Sequence, residues 1–185
     1  GGDGIDYFDG GDGFDRVSFY SRAATQGAVA NLITQTISND GYGHAETMFN
    51  VEALGAGTVF ADSFTGDDNN NLLWAGLGDT VIANGGDDVI IVDSAGLLID
   101  GGDGMDTLQF QGDQSGMLVA DGNSDGLADV VFATSGVIVS LRSNAILDDG
   151  FGHFGAIANI ENVDGSLLDD QILGNDGVNV LNGLD

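Results

Sequence analysis

GGDGIDYFDGGDGFDRVS, Gly1 to Ser18, is one nine-residue template written twice, G-G-x-G-x-D-x-U-x, with U a large apolar residue, here Phe8 and then Val17. Six Gly-rich residues turn the chain, and three residues make a short strand whose middle side chain points inward. The glycines permit the positive φ angles and close backbone approach such a turn requires. Asp6 and Asp15 offer carboxylates suited to a hard cation that prefers oxygen ligands. A third full match, GGDGMDTLQ, stands at Gly101 to Gln109.

The template can be followed where its glycines are lost. Val81, Ile90, Ile99 and Leu108 recur every nine residues, and Asp79 and Asp88 stand two before Val81 and Ile90. Asp62 precedes Phe64, and Asn71 precedes Leu73, at the same offset. Continuous repeat is therefore expected from about Gly55 to Gln109, with residues 18 apart stacked on one side, so that Asp88 and Asp106 flank a common position.

Composition points the same way. The 185 residues include 32 Gly, no Pro and no Cys, and among 30 acidic residues only Glu46, Glu52 and Glu161 are not Asp. The cations are Arg16, Arg22 and Arg142. Asp chosen over Glu, mostly beside Gly, favours metal-binding turns over a generic acidic surface. A formal charge of −27 repels itself, and bound cations would offset that repulsion on folding. It also makes nucleic acid and anionic membranes poor partners. No run approaches the roughly 18 apolar residues of a membrane span. The chain begins and stops inside repeats, as a processed product or an excised piece would.

Other features break the nonapeptide. Gly27 to Leu54 aligns with Gly136 to Val163 at an offset of 109, DGYGH at Asp40 to His44 answering DGFGH at Asp149 to His153. The chain thus reads as a single domain built from two copies of one unit, 1–109 and 110–185. Val137, Val139 and Leu141 alternate as in a strand, whereas Ile157, Ile160 and Val163 fit either a short helical turn or a bent corner. DGNSDGLAD, Asp121 to Asp129, lies between strand-like flanks, with a hairpin expected at about 117–133. It carries side-chain oxygens at Asp121, Asn123, Asp125 and Asp129, a carbonyl at Leu127 and a turn at Gly126. It resembles the first nine positions of an EF-hand loop, but position twelve is Phe132. The strand-loop-strand calcium loops of integrin-type propellers are the better match.

The nonapeptide itself resembles the repeats-in-toxin (RTX) calcium-binding β-roll. The resemblance implies an all-β fold, a parallel β-roll or β-solenoid with calcium-binding Gly-Asp turns, here with longer irregular coils or a hairpin insertion. It implies several Ca2+ ions, secretion by a one-step (type I) exporter, and an extracellular or cell-surface location. Carried over residue by residue, the ligands are the carboxylates of Asp6, Asp15 and Asp106 with turn carbonyls at Gly2, Gly4, Gly11, Gly13, Gly102 and Gly104. The degenerate turns add Asp62, Asp79, Asp88 and Asp170.

No catalytic set accompanies these turns. His44 and His153 alone could act as bases near neutral pH, and their repetition inside the duplicated turn favours a structural role. Trp74, Tyr7, Tyr20 and Tyr42 are candidates for a sugar-stacking face, with core packing the more ordinary role. The expectation is a structural, non-enzymatic module of an extracellular filament, surface layer or adhesin stalk. The alternative is a folding and secretion appendage of an enzyme such as a protease, lipase or alginate epimerase. Asp6 and Asp15 find Ala24 and Ile33 at the 18-residue spacing, and GNDGVNVLN at Gly174 to Asn182 is a near-perfect closing unit. Both suggest that one copy's tail, at Asp170 and Asn179, meets another's head.

Overall fold

The computed structural model describes residues 2–55, 57–94, 96–110, 117–119, 129–131 and 133–184. Among these residues there is no helix, and the chain is all-β. The first strands are β1 (Tyr7–Asp9), β2 (Arg16–Ser18), β3 (Ala28–Asn31), β4 (Thr36–Asp40), β5 (Glu46–Phe49) and β6 (Ala53–Gly55). Then come β7 (Ser63–Thr65), β8 (Leu72–Ala75), β9 (Thr80–Ile82), β10 (Val89–Val92), β11 (Leu98–Asp100) and β12 (Thr107–Phe110). A pair, β13 (Met117–Val119) and β14 (Asp129–Val131), precedes β15 (Ile138–Ser140), β16 (Ala145–Asp148) and β17 (Gly155–Ala158). The chain finishes with β18 (Asn162–Asp164), β19 (Gln171–Leu173) and β20 (Val180–Asn182).

These strands form an 11-stranded sheet, a 7-stranded sheet and the separate antiparallel pair β13–β14. From β6 to β12 consecutive strands alternate between the two large sheets, and every pairing among them is parallel. Register follows the inward residue: Phe64 aligns with Val81 and Val81 with Ile99 in the larger sheet, Leu73 with Ile90 and Ile90 with Leu108 in the smaller. All six are fully buried in one hydrophobic cluster that draws on both sheets. Period-2 alternation, one apolar residue between two more polar ones, is enough to bury so short a strand.

The duplicated segments explain why the sheets differ in width. β3, β4 and β5 form an antiparallel meander that joins parallel neighbours at both ends, β5 to β1 and β3 to β7. β15, β16 and β17 repeat this between β19 and β11. Each meander adds two strands to the larger sheet while the smaller continues undisturbed through β2–β6 and β12–β18. The copies agree in backbone detail: Gln35 and Asn144 both have φ 54°, and Asn50 and Asn159 have 52° and 50°. Val137, Val139 and Leu141 are buried around β15, as their alternation predicts. Ile157 and Val163 sit on β17 and β18 with buried Ile160 on the connection, so the spacing of three marks a strand-to-strand corner.

Candidate functional site: the acid ladders

Two rows of turns flank the sheets, one leading into each. Along each row, a carboxylate on one turn accepts a hydrogen bond from the backbone N–H of the acid position on the turn before it. In the row entering the smaller sheet, Asn71 donates to Asp88 Oδ1 at 2.7 Å and Asp88 donates to Asp106 Oδ1 at 2.9 Å. In the other row, Asp62 donates to Asp79 Oδ1, Ala28 to Asp62 Oδ1 and Val137 to Asp170 Oδ1. The stacking expected of Asp88 and Asp106 is present.

The ladder also shows what the nonapeptide spacing could not. Asp6 donates to Glu46 Oε1 at 3.0 Å, Asp15 to Glu52 Oε2 at 2.9 Å and Asp106 to Glu161 Oε2 at 3.0 Å. All three glutamates of the chain therefore occupy ladder positions, each on the strand or turn that returns from a meander. The inference that Asp6 and Asp15 lack a downstream partner is corrected: the partner is displaced by the intervening meander, from Ala24 and Ile33 to Glu46 and Glu52. A sequence signal existed, because Glu46, Glu52 and Glu161 each stand two residues before a buried inward residue, Met48, Leu54 and Val163.

The acids divide by the fate of their second oxygen. Asp62 Oδ2 accepts the Thr58 N–H, Asp79 Oδ2 the Gly76 N–H and Asp170 Oδ2 the Ser166 N–H, at 2.6–2.7 Å. Asn71 and Asn179 are capped likewise by the Asp67 and Asn175 N–H groups. By contrast Asp15, Asp88 and Asp106 each keep Oδ2 buried with no hydrogen-bond partner. The backbone supplies the reason. Four residues before these acids stand Gly11, Asn84 and Gly102, all left-handed at φ +83°, +78° and +96°, where the capped turns of Asp62 and Asp170 carry Thr58 and Ser166. A left-handed residue at that point carries the chain away from the local cap.

Packing holds the 101–106 turn tightly. A side chain at Gly102 would collide with the Asn84 carbonyl, one at Gly104 with the Gly86 carbonyl, and one at Gly101 with the Asn159 carbonyl and, at 2.6 Å, Asp106 Oδ2. Gly11 and Gly13 (φ +83° and +143°) adopt the same shape as Gly102 and Gly104 (+96° and +148°). Gly2 and Gly4 lie in the first turn, where nothing crowds them.

Electrostatics follow from burial. Asp88 is pushed up to about 7, by burial first and then by Asp106 and neighbouring aspartates. Asp106 rises to about 6 through burial and the Glu161 carboxylate. In the other row burial and Asp62 raise Asp79 to about 7, and burial raises Asp93 to about 6. A buried carboxylate oxygen without a donor is costly. A hard cation removes that cost directly, so the open turns fit such an ion. Among the described residues no three His, Cys, Asp or Glu side chains converge on one point. The donors would therefore be carboxylate pairs supplemented by turn carbonyls.

The remaining expected residues fall as follows. Asp121, Asn123, Asp125 and Leu127 lie outside the described residues, and Asp129 opens β14, antiparallel to β13 as the hairpin requires. His44 Nδ1 meets Asp40 Oδ2 at 3.1 Å and His153 Nδ1 meets Asp149 Oδ2 at 3.0 Å, while the other oxygen of each Asp takes two backbone N–H groups. Burial works against Asp40 ionising, but these donors outweigh it and hold the carboxyl below its ordinary range. Trp74 on β8 carries the Arg16 guanidinium 4.9 Å above its ring, Tyr7 on β1 packs against Phe49, and the Tyr42 hydroxyl bonds Ser21. Trp74 and Tyr7 are on different sheets. No family model and no curated protein matches the chain.

Proposed function

We propose that this chain is a calcium-binding structural module of an extracellular assembly, folded as a parallel β-roll whose Gly-Asp turns hold the ions. One observation carries the reading: Asp15, Asp88 and Asp106, all in turns with a left-handed residue four positions earlier, each bury an unpartnered carboxylate oxygen. A carboxylate that ionises readily in the unfolded chain and buries one oxygen without a donor in the folded one stays charged at little cost when an ion accompanies it. Each ion that binds the folded state alone adds about 2.7 kcal/mol at a hundred times its Kd. The −27 formal charge adds a general repulsion that the same ions relieve.

Self-association belongs to this proposal. β1 and β2 end their sheets on one side and β19 and β20 on the other, with one neighbour each. Both ends are parallel edges, so a further copy can add head to tail, a heterologous contact that extends into a filament unless it closes as a ring.

The test is circular dichroism and thermal melting in excess chelator and in millimolar calcium, with light scattering alongside. Calcium should raise the β signal and the melting temperature. Identical spectra and melting in both conditions would sink the reading, and a strictly monomeric protein in calcium would remove its assembly part.

A further inference from the structure

Glu52 and Glu161 occupy equivalent places in the two copies, and we propose that each completes a cation site with the open turn stacked against it. The sites are Gly10 to Asp15 with Asn50 to Glu52, and Gly101 to Asp106 with Asn159 to Glu161, both for a hard divalent cation. The inference rests on the calcium reading above and assigns to it residues that the nonapeptide does not contain.

On the side facing the returning segment the two places share the same contacts. Gly10 N–H donates to the Phe49 carbonyl and Gly101 N–H to the Ala158 carbonyl, both at 3.0 Å. Asn50 and Asn159, both left-handed, donate from Nδ2 to Asp9 and Asp100 at 2.8 and 2.7 Å. Their carbonyls lie where a side chain on Gly10 or Gly101 would sit. Against each stands an acid with a buried, unpartnered Oδ2, and Asp106 is 0% exposed.

Capping the N–H of Asp15 or Asp106 does not by itself require a charged residue. Elsewhere in this chain a neutral amide oxygen takes a backbone N–H from the neighbouring coil, Asn162 Oδ1 accepting from the Val180 N–H at 3.0 Å and Asn70 Oδ1 from the Asp87 N–H at 2.8 Å. Glutamate at 52 and 161 instead places a second carboxylate beside an acid that already lacks a partner. Arg16, next to Asp15 in sequence, is turned onto Trp74, and Arg142 pairs with Asp176. Two carboxylates brought side by side repel unless a cation lies between them. With carbonyls at hand, that is the mixed oxygen set calcium takes.

The chain's three glutamates make the test direct. Protein labelled with 13C at the Glu side-chain carboxyl should give three signals, assigned with E46Q, E52Q and E161Q, and be titrated with calcium chloride. The Glu52 and Glu161 signals should shift with calcium. In calorimetric titration E52Q and E161Q should each lose one ion or bind it at least tenfold more weakly, and the double variant should lose two. D176N, which removes one exposed charge, should leave the stoichiometry intact. Gln keeps an oxygen to accept the N–H, and the labelled wild type reads both sites even if a variant folds poorly. If the wild type binds no calcium, the underlying reading falls and this inference with it. Calcium binding with the Glu52 and Glu161 signals unmoved, or a loss in only one of the two variants, overturns this inference alone.

Discussion

The turns at 101–106 and 166–170 end in the same acid and treat it in opposite ways. In the second, Ser166 gives Asp170 both its N–H and its hydroxyl, at 2.7 Å each. In the first, a left-handed Gly102 replaces that local donor, and Asp106 holds one N–H from the neighbouring turn and leaves its other oxygen bare. The capped turn is complete as a piece of protein, whereas the open turn is complete only with something added. A chain that mixes the two completes part of its ladder with its own donors and leaves part of it with bare oxygens.

The largest expected effect attacks the open turn's backbone. Gly104→Ala puts a methyl into the Gly86 carbonyl at a φ of +148°, combining overlap with backbone strain, and should cost several kcal/mol. Gly152→Ala also has a left-handed φ, +85°, but nothing within 4 Å of the added atom, so its cost should be about 1 kcal/mol. Melting of both variants in calcium checks this, and equal costs would mean that the open turn is not closely packed.

Next in size is the acid itself. Asp106→Asn removes a buried charge with no donor on one side, so the metal-free protein should be no less stable while the gain on adding calcium shrinks. Asp62→Asn points an amide NH2 at one of the N–H groups that now cap it, from Thr58 or Ala28. That should cost about 1–3 kcal/mol with or without calcium. Urea unfolding in chelator and in calcium separates the cases; identical behaviour of both variants would erase the distinction between the two turn types.

A separate effect is expected from pH in the metal-free protein. Asp79 and Asp88 near 7, and Asp93 and Asp106 near 6, all lie above the ordinary aspartate range. The folded state therefore binds more protons than the unfolded state from about pH 4 to 7. Stability from these groups is fully present below the unfolded value and is lost as pH rises through the folded ones. In chelator the urea midpoint should be higher at pH 5.5 than at pH 7.5. A midpoint that rises with pH would show that the carboxylates are better solvated than their burial implies.

Much of this is legible in the sequence itself. The nine-residue recurrence places Phe64, Leu73, Val81, Ile90, Ile99 and Leu108 in the core, because a three-residue strand has only one side chain to bury. It also places an acid or amide two residues before five of these six, because that is where the turn meets the next layer, and Leu97 stands in that place before Ile99. The meanders hid the rest. A pairing that skips from Asp15 to Glu52, or from Asp106 to Glu161, cannot be found by counting eighteens, since the inserted strands lengthen the path without changing the stacking. The split between open and capped turns was half visible. Gly or Asn four residues before the acid is in the sequence, but its meaning depends on φ, and Asn175 in the same place caps normally.

The smallest effect compares the two copies instead of the two turn types. In both D-G-x-G-H turns the His ring meets the second oxygen of an Asp whose first oxygen is held by two backbone N–H groups, so the ring completes a turn that is already mostly satisfied. His44→Ala and His153→Ala should each cost about 1 kcal/mol, the net worth of one hydrogen bond. His44 differs in one respect, its Nε2 standing 3.9 Å from Asp3 Oδ1. Because that carboxylate is largely exposed, the contact is of the surface kind that contributes little. The two substitutions should therefore match within a few tenths of a kcal/mol in urea unfolding, with calcium stoichiometry unchanged in both. A much larger cost at His44, or loss of an ion with either histidine, would mean that the ring does more than close its turn.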